Sequence, residues 1–375
     1  MTIKISGRID SSNAAEVEKN INAQIGDFDG DIVLDAAELE YISSAGLRVI
    51  LRVKKKNSST VIVNCSTEVY EIFDMTGFTV MMDISKAYRE LSVEGCEVIG
   101  EGANGIVYRT DPDTIVKVYK NPDSLDEIHN ERELARKAFV LGVPTAIPYD
   151  VVKVGEYYGS VFELLNAKSF AALIRDGEDI DTLAKQSVDI LKTIHSNILQ
   201  DGELPSKRQE AIGWANYVKP YLPDEIGDKL LKLITEIPEC NVMIHGDYHV
   251  KNIMRQGSEN LLIDMDTLAL GHTVFEFSQM YIAYLGFSET DPTDVKRFLG
   301  IELEEARAFF NCSVKHYFEG RDDDFISSVV DMARIIAYTR MMRRAIKHKN
   351  NSTGVVENCT KNLCKLVPAT DKLYY

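Results

Sequence analysis

The chain is poor in cysteine, and its six cysteines (Cys65, Cys96, Cys240, Cys312, Cys359 and Cys364) include no Cys-x-x-Cys pair. That scatter argues against a disulfide framework or a thiolate zinc site and fits reduced thiols. Positive charge is also short: 42 Lys and Arg stand against 58 Asp and Glu, for a formal net charge of -16. Such a surface repels nucleic acid and anionic lipid, because binding either depends on cations that neutralise phosphate. No stretch reaches membrane-spanning length without charges, and residues 1–7 hold neither an apolar signal core nor a small-residue cleavage pattern. The expectation is a cytoplasmic globular protein with no nucleic-acid or membrane partner. With 45% hydrophobic residues, a chain of 375 residues can bury the cores of two or three domains.

The most informative stretch is VMIHGDYHVKNIM at 242–254, followed by LLIDMD at 261–266. Apolar, strand-like runs enclose a tight loop holding Asp247, His249 and Asn252. Burying a carboxylate, an imidazole and an amide together costs free energy unless each is paired. A well-capped polar turn is one reading. The other is a phosphoryl-transfer loop, in which Asp247 orients a hydroxyl nucleophile while Asn252 and Asp264 hold magnesium.

The first 88 residues alternate strand and helix signals. Ile3, Ile5 and Ile9 mark a strand, Ser11 or Ser12 is placed to cap a helix carrying Ala14, Val17, Ile21 and Ile25, and DIVLD at 31–35 is a buried-strand run. A second helix carries Leu47, Ile50, Leu51 and Val53, a strand follows at 61–63, and a third helix carries Val69, Ile72 and Phe73. The pattern predicts a compact α/β layer. GRID at 7–10, IVLD at 32–35, YISSAGL at 41–47 and the MTGF turn at 75–78 resemble the STAS family, the anti-sigma-factor antagonist fold. The resemblance implies binding of a protein partner and reversible phosphorylation of a serine at a helix start, here Ser44, a position where a phosphate suits the helix dipole. Capping of the helix by Ser43 and Ser44 is the alternative.

Residues 85–94 read as a short helical junction. GEGANGIVY at 100–108 then leads into an alternating strand rather than a helix, and TIVKVY at 114–119 is the next strand. This is a glycine-rich hairpin for phosphates, with Gly100, Gly102, Asn104, Gly105 and Val107 around the nucleotide and Lys117 where kinases carry their phosphate-binding lysine. A helix over 126–141 offers Glu131 or Glu133 as the partner of Lys117. Glu131 is preferred because Leu134, Ala135 and Ala138 follow it on one apolar face. The segment at 162–165 looks like an interlobe hinge, with Glu163 and Leu165 beside an adenine edge. Beyond Phe170 the chain is mainly helical. His195 lies in an apolar stripe, Trp214, Tyr217 and Tyr221 either line an acceptor pocket or pack, and the basic run at 340–349 is either a solvated helix end or an anion-binding surface.

Together, residues 100–107, Lys117, Glu131, the HGDYHVKN loop and Asp264 resemble the aminoglycoside phosphotransferase and choline kinase superfamily over about residues 93–350. The resemblance implies an α+β two-lobed protein-kinase-like fold with a largely helical C-lobe (N-lobe about 93–165, C-lobe about 166–375) behind the STAS-like layer at 1–88. It also implies ATP as cofactor, with GTP open, and Mg. Asp247 would be the catalytic base, with His249 shaping its loop and His245 anchoring it. Asn252 and Asp264 would bind the metal. Glu276 stands where relatives usually carry Asp. Asp266 is either a helper for a second metal or a solvated neighbour. The expected activity is transfer of a γ-phosphoryl group to a hydroxyl of a sugar, aminoglycoside or amino alcohol. The competing reading is a signalling kinase acting on a protein serine such as Ser44, or a nucleotide-sensing regulator of STAS interactions.

Overall fold

The computed structural model describes residues 1–102, 104–349 and 354–375. Met1–Gly95 and Val151–Gly159 make one unit, and Cys96–Asp150 and Ser160–Tyr375 make the other. Ala103, inside the glycine-rich hairpin, lies outside the described residues.

In the first unit β1 (Thr2–Ile9), α1 (Ala14–Ile25), β2 (Val33–Ile42), α2 (Ser44–Lys56), β3 (Val61–Cys65), α3 (Thr67–Met75), α4 (Phe78–Met81) and β4 (Ile84–Lys86) alternate. The sheet order is β1-β2-β3-β4 and every neighbouring pair is parallel, so each return between strands needs a crossover, which α1, α2 and α3 supply. Ile3, Ile5, Leu34, Ile50, Ile62 and Phe73 fill the core. Three local expectations are corrected. The N-cap of α1 is Asn13 rather than Ser11 or Ser12, and its side chain accepts from the Asp10 N–H instead of capping the helix. Strand β2 runs on to Ile42 because it pairs with β1 along nearly its whole length. Residues 85–94 are not helical: Arg89–Glu90 (β5) pairs in parallel with the strand Asp150–Val154, and the Leu91 N–H donates to the Lys153 carbonyl. Partners some sixty residues away satisfy this backbone, and local periodicity carries no trace of them.

The second unit begins with β6 (Glu97–Glu101), β7 (Gly105–Asp111), β8 (Thr114–Tyr119) and α5 (Leu125–Val140), and the division between units passes through β9 (Asp150–Val154) and β10 (Tyr157–Glu163). Then follow β11 (Lys168–Ser169), α6 (Phe170–Arg175), α7 (Ile180–His195), α8 (Lys207–Val218), α9 (Asp224–Thr235), β12 (Met243–Ile244), β13 (Ile253–Gln256), β14 (Glu259–Leu262), β15 (Ala269–Leu270), α10 (Val274–Tyr281), α11 (Asp294–Leu299), α12 (Leu303–Tyr317), α13 (Asp323–Lys347) and α14 (Val355–Ala369). β6, β7 and β8 form an antiparallel meander whose register sets Val107 opposite Lys117. Side-chain caps start the long helices: Asp179 accepts from the Thr182 N–H and Asp322 from the Phe325 N–H. The helical core holds Trp214, Phe275, Phe277, Tyr284 and Phe309. Trp214 is therefore a packing residue, while Tyr217 and Tyr221 stack on each other at the surface. His195 is buried.

Two small antiparallel pairings hold the loop singled out in the sequence. β12 pairs with β15 (Met243 opposite Leu270), and β13 pairs with β14 (Ile253 opposite Leu262). Residues 245–252 are thus clamped at both ends by strands.

Candidate active site

The loop is braced from beneath by a buried carboxylate. Glu276, at the start of α10, accepts from the His245 N–H at 2.6 Å and from the Gly246 N–H at 3.0 Å, and His195 Nε2 lies 3.5 Å from it. Burial pushes the Glu276 carboxyl up, but the hydrogen bond and charge of His195, with the His245 contacts, hold it below its ordinary value. The longer carboxylate at this position therefore does not disturb the loop; it spans two consecutive amides. Gly246 has φ of +82°, and a Cβ there would stand 2.5 Å from the Thr267 carbonyl oxygen, so no other residue fits. The Thr267 hydroxyl closes the turn by donating to the His245 carbonyl at 2.8 Å.

On this base Asp247 presents its carboxylate at the surface of a cavity. Its N–H donates to His245 Nδ1 at 3.3 Å, and its carbonyl accepts from the Asn252 side-chain amide at 3.1 Å. His249 Nε2 lies 3.6 Å from Asp247 Oδ2, with the His249 ring set edge-on to Phe298. Burial would raise the Asp247 carboxyl, but His249, His245 and Arg340 outweigh it and keep it below the usual carboxylate range, so it is ionised at neutral pH.

A second cluster forms around Lys117. Its Nζ lies 2.9 and 3.1 Å from the two oxygens of Glu131 on α5, and 3.4 Å from Asp264 Oδ1. The Tyr119 hydroxyl also donates to Glu131. Burial would lower the Lys117 ammonium, but the charges of Asp264 and Glu131 hold it far up, so it stays a cation. Glu131, not Glu133, makes this contact, and Gly105, opposite Tyr119 on the neighbouring strand, is required because a Cβ would meet the Val118 carbonyl oxygen at 2.7 Å. Gly102 donates its N–H to the Gly105 carbonyl, and Gly102 and Asn104 stand exposed at the turn; Gly100 lies on β6. Glu163 ends β10, exposed, and the Leu164 N–H donates to the Asp113 carbonyl, with Leu165 half-buried beyond it.

The donor set fits a hard divalent cation. Asp264 is held at φ of +69°, a region non-glycine residues seldom enter. Asn252 commits its amide nitrogen to Asp247, which leaves its oxygen as the remaining donor. Asp266 is half-buried rather than solvated, and burial with the charges of Asp264 and Glu131 raises its carboxyl to about 7, a mark of excess negative charge. Among the described residues no group of three His, Cys, Asp or Glu side chains forms a cation cage. An ion here would complete its shell with water and phosphate oxygens, as magnesium does.

The cavity has a volume of about 680 Å³, and Asp247, Gln279, Phe287, Phe298, Arg340 and Arg344 are among its lining residues. None of Trp214, Tyr217 and Tyr221 lines it.

Residues 95–309 match the model of the phosphotransferase enzyme family (APH). The chain belongs to that family. Residues 1–91 match the STAS domain model. This phosphotransferase is similar in that first segment to BtrV of Bordetella bronchiseptica, named as a candidate anti-sigma factor antagonist, with 33% identity over 87 residues that span 22% of this chain and 75% of BtrV. Among solved structures, aminoglycoside phosphotransferase APH(4)-Ia matches at TM-score 0.52 and 12% identity in its ternary complex with AMP-PNP and hygromycin B, over 74% of this chain and 94% of that one. Its apo form matches at TM-score 0.51 and 12% identity, over 73% and 94%. These likenesses show the two-lobed kinase-like fold with its helical C-lobe. The phosphotransferase is a kinase that acts on hydroxyl groups, and its fold is a nucleotide-binding one. No helix among the described residues is long and apolar enough to cross a membrane.

Sequence reasoning missed Tyr119, although its place two residues after Lys117 on the same strand face was the available signal. Of the basic run at 340–349, read as a solvated helix end or an anion-binding surface, Arg340, Arg344 and His348 line the cavity.

Proposed function

We propose that the chain transfers the γ-phosphoryl group of ATP, with magnesium, to a hydroxyl of a small molecule in the cavity beside Asp247. The observation that carries this reading is the Lys117 ammonium held between Glu131 and Asp264, a phosphate-binding lysine already positioned and charged. Lys117 and the glycine-rich hairpin that carries Gly100, Gly102, Asn104, Gly105 and Val107 cradle phosphate, and Glu163 and Leu165 border the base, with GTP the alternative nucleotide. Asn252 and Asp264 would hold the metal, which when bound neutralises phosphate charge. Asp247, ionised and aimed into the cavity, accepts the hydrogen bond of the acceptor hydroxyl, while His249 and His245 keep its loop in place. The acceptor oxygen forms a bond to the γ-phosphorus as the bond to the β,γ-bridging oxygen breaks; the nucleoside diphosphate leaves and the hydroxyl proton passes to Asp247. We assign this chemistry to residues 89–375 and a regulatory, partner-binding role in the cytoplasm to residues 1–88.

A second reading has one observation in its favour. Ser43 takes the capping role of α2, accepting from the Ala45 and Gly46 N–H groups, which leaves the Ser44 hydroxyl exposed at the first helical position. Ser44 is thus a site for a phosphate set by this chain or another kinase. Incubation of the full chain with labelled ATP, magnesium and a hydroxyl panel, followed by mass spectrometry of protein and small molecules, separates the two. Labelled small molecules with unmodified Ser44 support the first reading, and label on Ser44 alone supports the second.

A further inference from the structure

Arg340, Arg344 and His348 follow one another at intervals of four along and just past α13, so they share one face of the helix, and all three line the Asp247 cavity. The other charges of that wall are already matched: Arg297 pairs with Asp291 at 2.7 Å and with Asp294 at 3.1 Å. Among the described residues neither Arg340 nor Arg344 has an ion pair of this kind. Arg340 lies over the Trp214 ring at 5.3 Å and Arg344 over Phe287 at 6.0 Å, and an aromatic face takes up none of a guanidinium's N–H donors. Burial, with the charges of Arg344 and Arg343, pushes the Arg340 guanidinium down, and the opposing pull of Glu210 and Asp247 does not restore it. Glu210 is itself bound to Lys207 at 2.8 Å. A guanidinium does not give up its proton in a protein, so Arg340 stays a cation that is largely withdrawn from water and that Glu210 and Asp247 offset only in part. The cavity lining carries Asp247, Asp291 and Asp294 against Arg297, Arg340 and Arg344, and with Arg297 bound to both Asp291 and Asp294 the two guanidiniums of α13 share the rest of the cavity with Asp247.

We infer that the acceptor is a hydroxylated anion, its hydroxyl at Asp247 and its carboxylate or phosphate group held by Arg340, with Arg344 adding charge at the exposed side. The inference rests on the phosphotransferase reading above and narrows it. The planar donor fork of arginine matches either oxyanion, and cationic acceptors such as amino alcohols and aminoglycosides meet like charge at the same wall.

The test offers the full chain ATP and magnesium with matched acceptors: glycerate and glycerol 3-phosphate against glycerol, ethanolamine and kanamycin, with products read by phosphorus NMR. Glycerate or glycerol 3-phosphate is expected to be phosphorylated with kcat/KM at least about tenfold above glycerol, the range of a charge-assisted hydrogen bond. Comparison of the two arms tells carboxylate from phosphate. Arg340→Gln is expected to raise KM for the preferred anion by about ten- to a hundredfold, with Arg340→Lys recovering part of the loss. Arg344→Gln, at an exposed position, serves where Arg340→Gln fails to fold, and is expected to raise KM several-fold, more so at low salt. Preference for ethanolamine or kanamycin, or an unchanged KM in both glutamine variants, overturns the inference. Hydrolysis of ATP to water with no transfer to either anion overturns the acceptor class alone. Failure to release any nucleoside diphosphate overturns the phosphotransferase reading and this inference with it.

Discussion

The phosphate side of the site and the acceptor side are built by different means. Lys117, Glu131 and Asp264 meet although 147 residues separate the first from the last, and each sits in a local pattern dictated by its chemistry: a strand after a glycine hairpin, a helix, a strand end. The acceptor wall draws on the ends of α10, α11 and α13 and the turns between them, where packing alone decides which side chains face inward. Phosphate is the same in every nucleotide, so its binding groups recur with fixed spacing; the acceptor is particular, and its wall answers to one molecule.

That contrast can be broken first at the brace beneath the Asp247 loop. Glu276→Ala leaves the His245 and Gly246 N–H groups without partners in a buried site, each costing about 1–3 kcal/mol. Urea unfolding is expected to register a loss of about 3 kcal/mol or more, with transfer activity falling alongside it. A loss below 1 kcal/mol means the loop does not depend on Glu276.

Lys117→Met strikes the phosphate side alone. Activity is expected to fall by about a hundredfold or more, the scale of a removed electrostatic contact to a transferring phosphoryl group, and the melting temperature falls as well because Glu131 is left buried without its cation. Activity of the folded variant within about tenfold of the native chain contradicts the phosphate-binding role of Lys117.

Acid sharpens the picture of the buried loop. Burial pushes His245 down against the pull of Glu276, Asp247 and Asp264, so its imidazole stays neutral to lower pH in the folded chain than in the unfolded one, where it titrates at its ordinary 6.5. As pH falls below about 6.5 the unfolded chain takes up a proton that the folded chain refuses, and stability drops. Glu276, held below its ordinary 4.5, adds a further loss below that pH, because there again the unfolded state binds the proton first. Urea midpoints are expected to fall from pH 7.5 to 5.5, and less so in His245→Asn. A flat profile contradicts the assignment.

The smallest effects lie in the first unit. Ser43→Ala removes the α2 cap and is expected to cost about 1 kcal/mol, whereas Ser44→Ala stays within about 0.5 kcal/mol. Equal costs mean that both serines cap.

Much of the fold was legible because its signals are local. The alternation of the first unit, the glycine hairpin followed by strands, and the HGDYHVKN loop all declare themselves within a dozen residues. The junction at 85–94 was not legible, since its strand character comes from pairing with β9. Within the site, the role of Glu276 was obscured because its partners are backbone amides 30 and 31 residues away, which leave no mark on side-chain patterns. The direction of Arg340 was equally hidden: a basic helix end reads the same whether it faces water or a cavity.

The most direct test compares the full chain with Asp247→Asn under labelled ATP, magnesium and the acceptor panel. The account predicts label on a small molecule from the native chain and a rate at least about a hundredfold lower from the variant, in the range of a lost general base, with nucleotide binding retained in a thermal-shift titration. Transfer at the native rate by Asp247→Asn contradicts it.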